Sequence, residues 1–197
     1  MILRSPSSPI ICYALLVCLF GIVTHAVLSV QCNNLHSYAC SVLIRYFPQS
    51  RESLAVDYIN RARSIKDHDA SLALQDINTA LAIDPNQPQG HFYRGVLEYN
   101  ARHMDASLAE FTRAIEIEPR YINAYENRGT VFGILGNYDL AIADFNMILK
   151  IKPYEALAYA NKGYAELLAG NRVMGEIDIQ KARSLGYTFR SDFRPAP

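Results

Sequence analysis

From about residue 54 to 188 the chain places apolar residues at helical spacing, and the pattern itself repeats. Small residues stand at Ala73, Ser107, Ala141 and Gly175. A large apolar residue follows each of them four positions on, at Ile77, Phe111, Phe145 and Ile179, and Ala80, Ala114, Ile148 and Ala182 come three later. Steps of four and three fall on one face of a helix. Each landmark recurs after 34 residues (111 − 77, 145 − 111, 179 − 145). The punctuation keeps the same step. Pro85, Pro119 and Pro153 close "ALAIDP", "AIEIEP" and "ILKIKP", while Gly95, Gly129 and Gly163 sit inside "YRGVLEY", "NRGTVFG" and "NKGYAEL".

The pattern predicts paired helices. First helices are expected over 54–67, 88–101, 122–135 and 156–169, and second helices over 70–83, 105–118, 139–152 and 173–185. A glycine inside a helix costs about 1 kcal/mol relative to alanine, so three at one spacing need a compensating contact. Gly129 opposite Ala141 is expected to let two backbones approach, with Phe145 filling the groove beside them. Asp105 and Asp139 fall where a carboxylate can cap or favour a helix start. Gly136-Asn137 and Gly170-Asn171 read as turns, Gly186 as a helix C-terminal cap, and proline as the stop of each second helix.

These landmarks resemble the tetratricopeptide repeat, a 34-residue helix-turn-helix unit. The resemblance covers residues 54–188, in copies 54–87, 88–121, 122–155 and 156–188. It implies an all-α, right-handed α-solenoid of about four repeats, in which no single unit buries its apolar face and stacking does. The end copies depart from the pattern. Arg61 stands where the others have glycine, and Tyr187 where the others have proline. Atypical end copies are usual in solenoids, since one side faces solvent or a cap.

Ahead of the repeats the pattern changes. Ile10 to Val30 holds no Asp, Glu, Lys or Arg. Its most apolar part, Ile10–Val23, has the length of a signal-peptide core, and Thr24-His25-Ala26 has small residues where a signal peptidase reads. The whole run also has the length of a membrane span. Residues 1–26 are therefore read as a cleaved secretory signal or as an uncleaved anchor, an apolar N-terminal helix in either case. Both readings place the rest of the chain outside the cytoplasm, exported to a periplasmic or extracellular space or held at a membrane. Residues 27–53 form a linker with a short helix from Asn33 or Asn34 to Phe47, whose stripe of Leu35, Tyr38, Ala39, Val42 and Tyr46 is placed to cap the first repeat. Cys32 and Cys40 are a candidate disulfide in an oxidising compartment. If both lie in one helix they are about 12 Å apart along its axis, too far for a bridge, so the helix and the bridge compete. Cys32, His36 and Cys40 lack a fourth ligand for zinc; no metal or cofactor is expected.

Composition narrows the function. The chain carries 19 basic and 19 acidic residues, so no basic excess is available to neutralise nucleic-acid phosphates. No catalytic elbow, phosphate-cradling glycine loop or zinc-hydrolase histidine pair is present. Acidic and basic residues alternate along the helices, which reads as solvation.

Solenoids of this kind expose their first helices on the concave side, and members of the family bind an extended segment or a helix there. By register that surface carries Tyr58, with Ile59 and Ala62, then Gln89, Phe92, Tyr93, Val96 and Tyr99. It continues with Asn123, Glu126, Asn127 and Thr130, then Leu157, Asn161 and Tyr164. Amide side chains both donate and accept, so Asn127 and Asn161 suit a partner's backbone. Tyrosines give apolar area with a polar tip. Some family members clamp a partner's C-terminal carboxylate with basic residues, but at those places this chain has Tyr58, Phe92, Glu126 and Ala160. The expected function is a non-catalytic adaptor that takes a protein or peptide partner in the groove. The alternative is a self-assembling module, a homo-oligomer joined through the open end of the solenoid or the N-terminal helix. The tail, residues 189–197, carries Phe189 and Phe193, which with Tyr187 are placed to fold back over the last repeat.

Overall fold

The structure, a computed structural model, describes residues 50–188 together with Ser41 and Ile44. The N-terminal apolar run, Cys32, His36, Cys40, and Phe189 and Phe193 of the tail lie outside the described residues.

Eight α-helices make up residues 51–184, and no strand occurs among the described residues. We number them α1 (Arg51–Ile65), α2 (Ala70–Ile83), α3 (Pro88–Asn100), α4 (Met104–Ile117), α5 (Ile122–Ile134), α6 (Tyr138–Ile151), α7 (Ala156–Leu168) and α8 (Arg172–Ser184). Seven of the eight begin and end within a residue or so of the expected bounds. The exception, α1, starts earlier because Ser50 supplies an N-cap: its Oγ accepts the Ser53 N–H at 3.2 Å. Asp69 caps α2 in the same way, accepting from Leu72 N at 2.9 Å. Asp105 and Asp139 are not caps. They lie in the first turns of α4 and α6 and accept no cap bond, so their contribution is to the helix dipole alone.

The turns repeat as closely as the helices. Gly136, Gly170 and Gly186 all adopt positive φ, at 78°, 88° and 90°. In each, the next residue's N–H reaches back to the helix, as Asn137 N does to Phe132 O at 2.9 Å and Tyr187 N to Ala182 O at 3.0 Å. Those bonds close the orphan carbonyls at the helix end. Arg102 occupies the place of Gly136 one repeat earlier and is forced to φ 66°.

The chain divides into two units, residues 1–85 and 86–197. In the first, α1 packs on α2 around Ala55, Ile59, Ala62, Ala73, Ile77 and Ala80. In the second, α3 pairs with α4, α5 with α6 and α7 with α8, while α4 packs on α5 and α6 on α7. The first helices also touch along their own row, α3 to α5 and α5 to α7, whereas the second helices do not touch one another. A layer whose members meet is the inside of a curve and a layer whose members splay is the outside. Within the second unit, α3, α5 and α7 therefore form the inner row.

Two apolar clusters fill this unit. One joins Phe92, Phe111, Ala114, Ala124 and Val131, and the other Tyr125, Ala141, Phe145, Ile148, Ala158 and Ala165. The glycine contact differs from the expected one. A Cβ on Gly129 would meet not Ala141 but the Phe145 ring at 3.0 Å and Asp144 Cβ at 3.2 Å. On Gly95 it would meet the Phe111 ring at 2.7 Å. Glycine thus admits an aromatic ring rather than a backbone. In the last pair the space is bounded by backbone as well as side chain: a Cβ on Gly163 would stand 2.9 Å from both Gly175 O and Ile179 Cγ1. Ser107, at the small position of the second copy, uses its hydroxyl to bond Gly95 O at 2.9 Å.

Candidate interaction surface

Charged side chains flank each helix pair, and one carboxylate in several of them is buried. Asp76 is 1% exposed and Asp144 4%, and Asp178 is buried as well. Each stands one position before the large apolar residue, so it lies about 100° round the helix from it, beside the seam between the paired helices. Each meets a cation from the first helix. Arg61 Nε donates to Asp76 Oδ2 at 2.6 Å, with Nη2 on Oδ1. Arg128 holds Asp144 with two bonds of 2.9 and 2.7 Å and donates to Thr112 Oγ1 at 3.0 Å. Lys162 Nζ lies 3.1 Å from Asp178 Oδ2, and in the second copy Arg94 meets Glu110 at 2.8 Å. His91, also buried, shares that carboxylate at 2.8 Å. Of the alternating charges read from the sequence as solvation, these seam residues are internal ties, while others such as Arg113, Glu116, Arg172 and Glu176 are exposed.

The Arg128–Asp144 pair carries opposite pulls. Arg128's hydrogen bonds to the Asp144 carboxylate raise its pKa, favouring the ion pair. Burial raises the Asp144 carboxyl, against Arg128's hydrogen bond, and so disfavours its ionised form. The geometry decides between them. Two N–H···O bonds to both carboxyl oxygens are the geometry of a bidentate guanidinium–carboxylate pair, and its net worth is small because desolvation offsets most of the attraction.

These ties dispose of every cation on the inner row of the second unit. Arg94, Arg128 and Lys162 are the basic residues of α3, α5 and α7, and all three are turned to second-helix carboxylates. What remains on the inner row is amide, hydroxyl, aromatic and acid. Gln89 and Asn123 are exposed; Tyr93, Tyr99, Asn127, Asn161 and Tyr164 are half-buried. The Asn127 amide donates to Asn123 O in its own helix at 2.8 Å, which leaves its carbonyl oxygen for other use. Thr130 Oγ1 likewise donates to Glu126 O at 2.8 Å.

Three of the residues expected on this surface are core instead. Phe92 is 8% exposed and packs on Phe111 and Tyr121, with ring centroids 5.8 and 5.3 Å apart. Ile59 and Ala62 are buried in the first unit. Tyr58, half-buried there, has the Arg61 guanidinium 5.5 Å from its ring. The register position of Phe92 faces the neighbouring first helix: its equivalent Ala160 is buried too. Glu126 holds the same position on α5. Burial, and then the charge of Glu155, push its carboxyl above the usual range.

Two open clefts lie elsewhere. One, of about 360 Å³, is lined by Gly136, Asn137, Tyr138, Asp139, Leu140 and Ala169 at the turns. The other is formed on α2 by Ser71, Leu74, Gln75, Asn78, Thr79 and Ala82. Neither includes a residue of the inner row.

No family model matches the chain, and no curated protein matches it in sequence. Its fold is similar to that of solved structures of MamA. One covers 76% of this chain and 85% of the MamA chain at 21% identity, with a TM-score of 0.65. MamA from residue 41 onward from Desulfovibrio magneticus RS-1 covers 70% and 77% at 20% identity, with a TM-score of 0.62. MamA of AMB-1 covers 82% and 90% at 15% identity, with a TM-score of 0.66. At these identities the likeness is one of fold, an all-helical solenoid of the tetratricopeptide type.

Proposed function

We propose that this chain is a non-catalytic adaptor that binds a segment of a partner protein along the inner row α3, α5 and α7. The observation that carries the reading is the division of labour on those helices. Their cations face the second helices and hold the pairs together, while Asn123, Asn127 and Asn161 keep polar atoms at or near the surface. An amide row suits an extended backbone. Replacing Asn127 and Asn161 together by Ala tests it: partner capture is lost while thermal unfolding stays within a degree or two of the parent. Undiminished capture overturns the reading.

Under the same proposal the N-terminal apolar run exports the domain or tethers it to a membrane. Intact-mass measurement of the mature protein separates the two, since a mass that includes residues 1–26 means no cleavage.

A second reading, self-association, draws on a different observation. Val173, Met174 and Ile177 of α8 are all more than half exposed. Their equivalents one repeat earlier, Asp139, Leu140 and Ala143, are exposed as well, so the patch lies on the outer side of the second helices. The open stacking end is a poorer candidate. Ile142 and Leu149 of α6 pack in the cluster with Ala158 and Ala165 of α7, but their equivalents on α8 are Glu176 and Arg183, both exposed. Polar substitution of a terminal stacking face is the mark of a capping repeat. Val173→Ser with Ile177→Ser converts an oligomer to a monomer if this second reading holds, and leaves the mass in solution unchanged if it does not.

A further inference from the structure

Glu126 stands where a carboxylate has no structural work to do. The equivalent positions on the neighbouring first helices hold Phe92 and Ala160, both buried and apolar. Among the described residues Glu126 has no ion-pair or hydrogen-bond partner for its side chain. The basic side chains of its row, Arg94, Arg128 and Lys162, are committed to Glu110, Asp144 and Asp178. A second carboxylate, Glu155, the N-cap residue of α7, adds its repulsion to the cost of burial. Glu155 itself has only a loose, exposed contact with Lys152, at 3.8 Å. The half-buried Glu126 thus lies on an inner row whose own cations are all committed elsewhere. A half-buried carboxylate left unpaired in this way costs stability, and a cation brought from outside removes that cost and gains a charge-assisted hydrogen bond.

We infer that Glu126 anchors a cationic side chain, so that the partner segment taken by the inner row presents an arginine or lysine between α5 and α7. This rests on the inner row being the binding surface and adds to it the chemistry of the occupant. It also reverses the polarity of a carboxylate-clamping groove.

The test uses the full chain and three fluorescein-labelled dodecapeptide mixtures, each random except for a fixed central Arg, Ser or Glu, with binding read by fluorescence anisotropy. The Arg mixture is expected to bind about tenfold tighter than the Ser mixture, and the Glu mixture weakest, as a desolvated charge pair would give. Glu126→Gln brings the Arg and Ser mixtures within about twofold of each other without weakening the Ser mixture. Glu126→Lys turns the preference toward the Glu mixture. Glu176→Gln, the same loss of charge on the exposed face of α8, leaves the Arg preference intact. Equal binding of the Arg and Ser mixtures by the native chain overturns the inference while leaving the inner-row reading standing. So does an Arg preference that survives Glu126→Gln, or one that Glu176→Gln removes as fully. Absence of binding by all three mixtures overturns the inner-row reading itself and this inference with it.

Discussion

In the third helix pair Arg128 stands one position before Gly129 and clasps Asp144; in the first, Arg61 stands at the glycine's own position and clasps Asp76. The acid is fixed in register and buried in both. The cation is not. What changes with it is the large residue beside the acid, Phe145 in the third pair and Ile77 in the first. The Phe145 ring occupies the space of a Cβ on residue 129, whereas Ile77 leaves room for a side chain at 61. Glycine and ion pair are thus separate devices. Glycine is required by the aromatic ring in the second and third pairs and by the close approach of Gly175 and Ile179 in the fourth, and the cation by the buried carboxylate. A repeat without the ring can merge the two positions into one arginine, and that arginine also reaches the residues ahead of the repeats, donating from Nη1 to Ser41 Oγ at 3.4 Å.

The largest effect expected from breaking this comparison comes from the acid. Asp144→Ala leaves Arg128 without its counter-ion in a mostly buried setting and should cost about 3–5 kcal/mol, seen as a lower denaturation midpoint. Asp76→Ala should cost a similar amount despite the different cation. Replacing both members, Arg128→Met with Asp144→Leu, should restore stability to within about 1 kcal/mol of the parent or above it. A double variant as weak as Asp144→Ala would contradict the view that the pair's net worth is small.

The glycine comes next. Gly95→Ala forces a methyl to within 2.7 Å of the buried Phe111 ring and should destabilise by about 1–3 kcal/mol, the cost of overpacking. Gly95→Ala combined with Phe111→Ile should be more stable than the sum of the single changes predicts, because the two residues share one space. Strict additivity in denaturant unfolding would show that glycine serves something other than the ring.

A smaller effect sharpens the comparison at the turns. Arg102 alone among non-glycine described residues has positive φ, at the place of Gly136 and Gly170. Arg102→Gly should stabilise the chain by up to about 1 kcal/mol, since left-handed backbone costs an L-residue about 1–2 kcal/mol and glycine's extra unfolded-state entropy returns part of it. A fall in melting temperature would count against it.

The smallest is electrostatic and depends on pH. The folded-state pKa of Glu126 lies above its ordinary value, chiefly through burial and secondly through Glu155. A raised carboxyl pKa means that the folded state favours the proton. The penalty is absent below the unfolded pKa and develops as pH rises through the folded one. Glu126→Gln should therefore raise the melting temperature at pH 7 and change it little at pH 4. An equal gain at both pH values would assign the effect to packing.

The helices and turns were legible because they are written in local terms. The 34-residue step of Gly, Pro and small residues survives without knowledge of any contact. Two things were not legible in the same way. From the sequence alone the buried carboxylates read as solvated charges, since a charge in a helix gives no sign of whether it points to water or along a seam. A signal did exist: Asp76, Glu110, Asp144 and Asp178 keep the 34-residue step, and so do Arg94, Arg128 and Lys162. A periodic acid and a periodic base in partner helices together mark a pair, whereas the periodic but exposed Asp105 and Asp139 have no periodic cation to match. Phe92 was assigned to the groove by register, but its position meets the neighbouring first helix. Only the packing of α3 on α5 reveals that, and it leaves Glu126 as the residue of that row which breaks the apolar rule.

On this reading the repeated residues hold the solenoid while the unrepeated ones of the inner row meet the partner. Site-specific photo-crosslinking of the full chain tests it most directly, with benzoylphenylalanine introduced in turn in place of Asn127, Asn161 and, on the outer side of α6, Ala143. Adducts to a second protein from positions 127 and 161 but not from 143 are predicted. Adducts from 143 alone, or equally from all three, would contradict it.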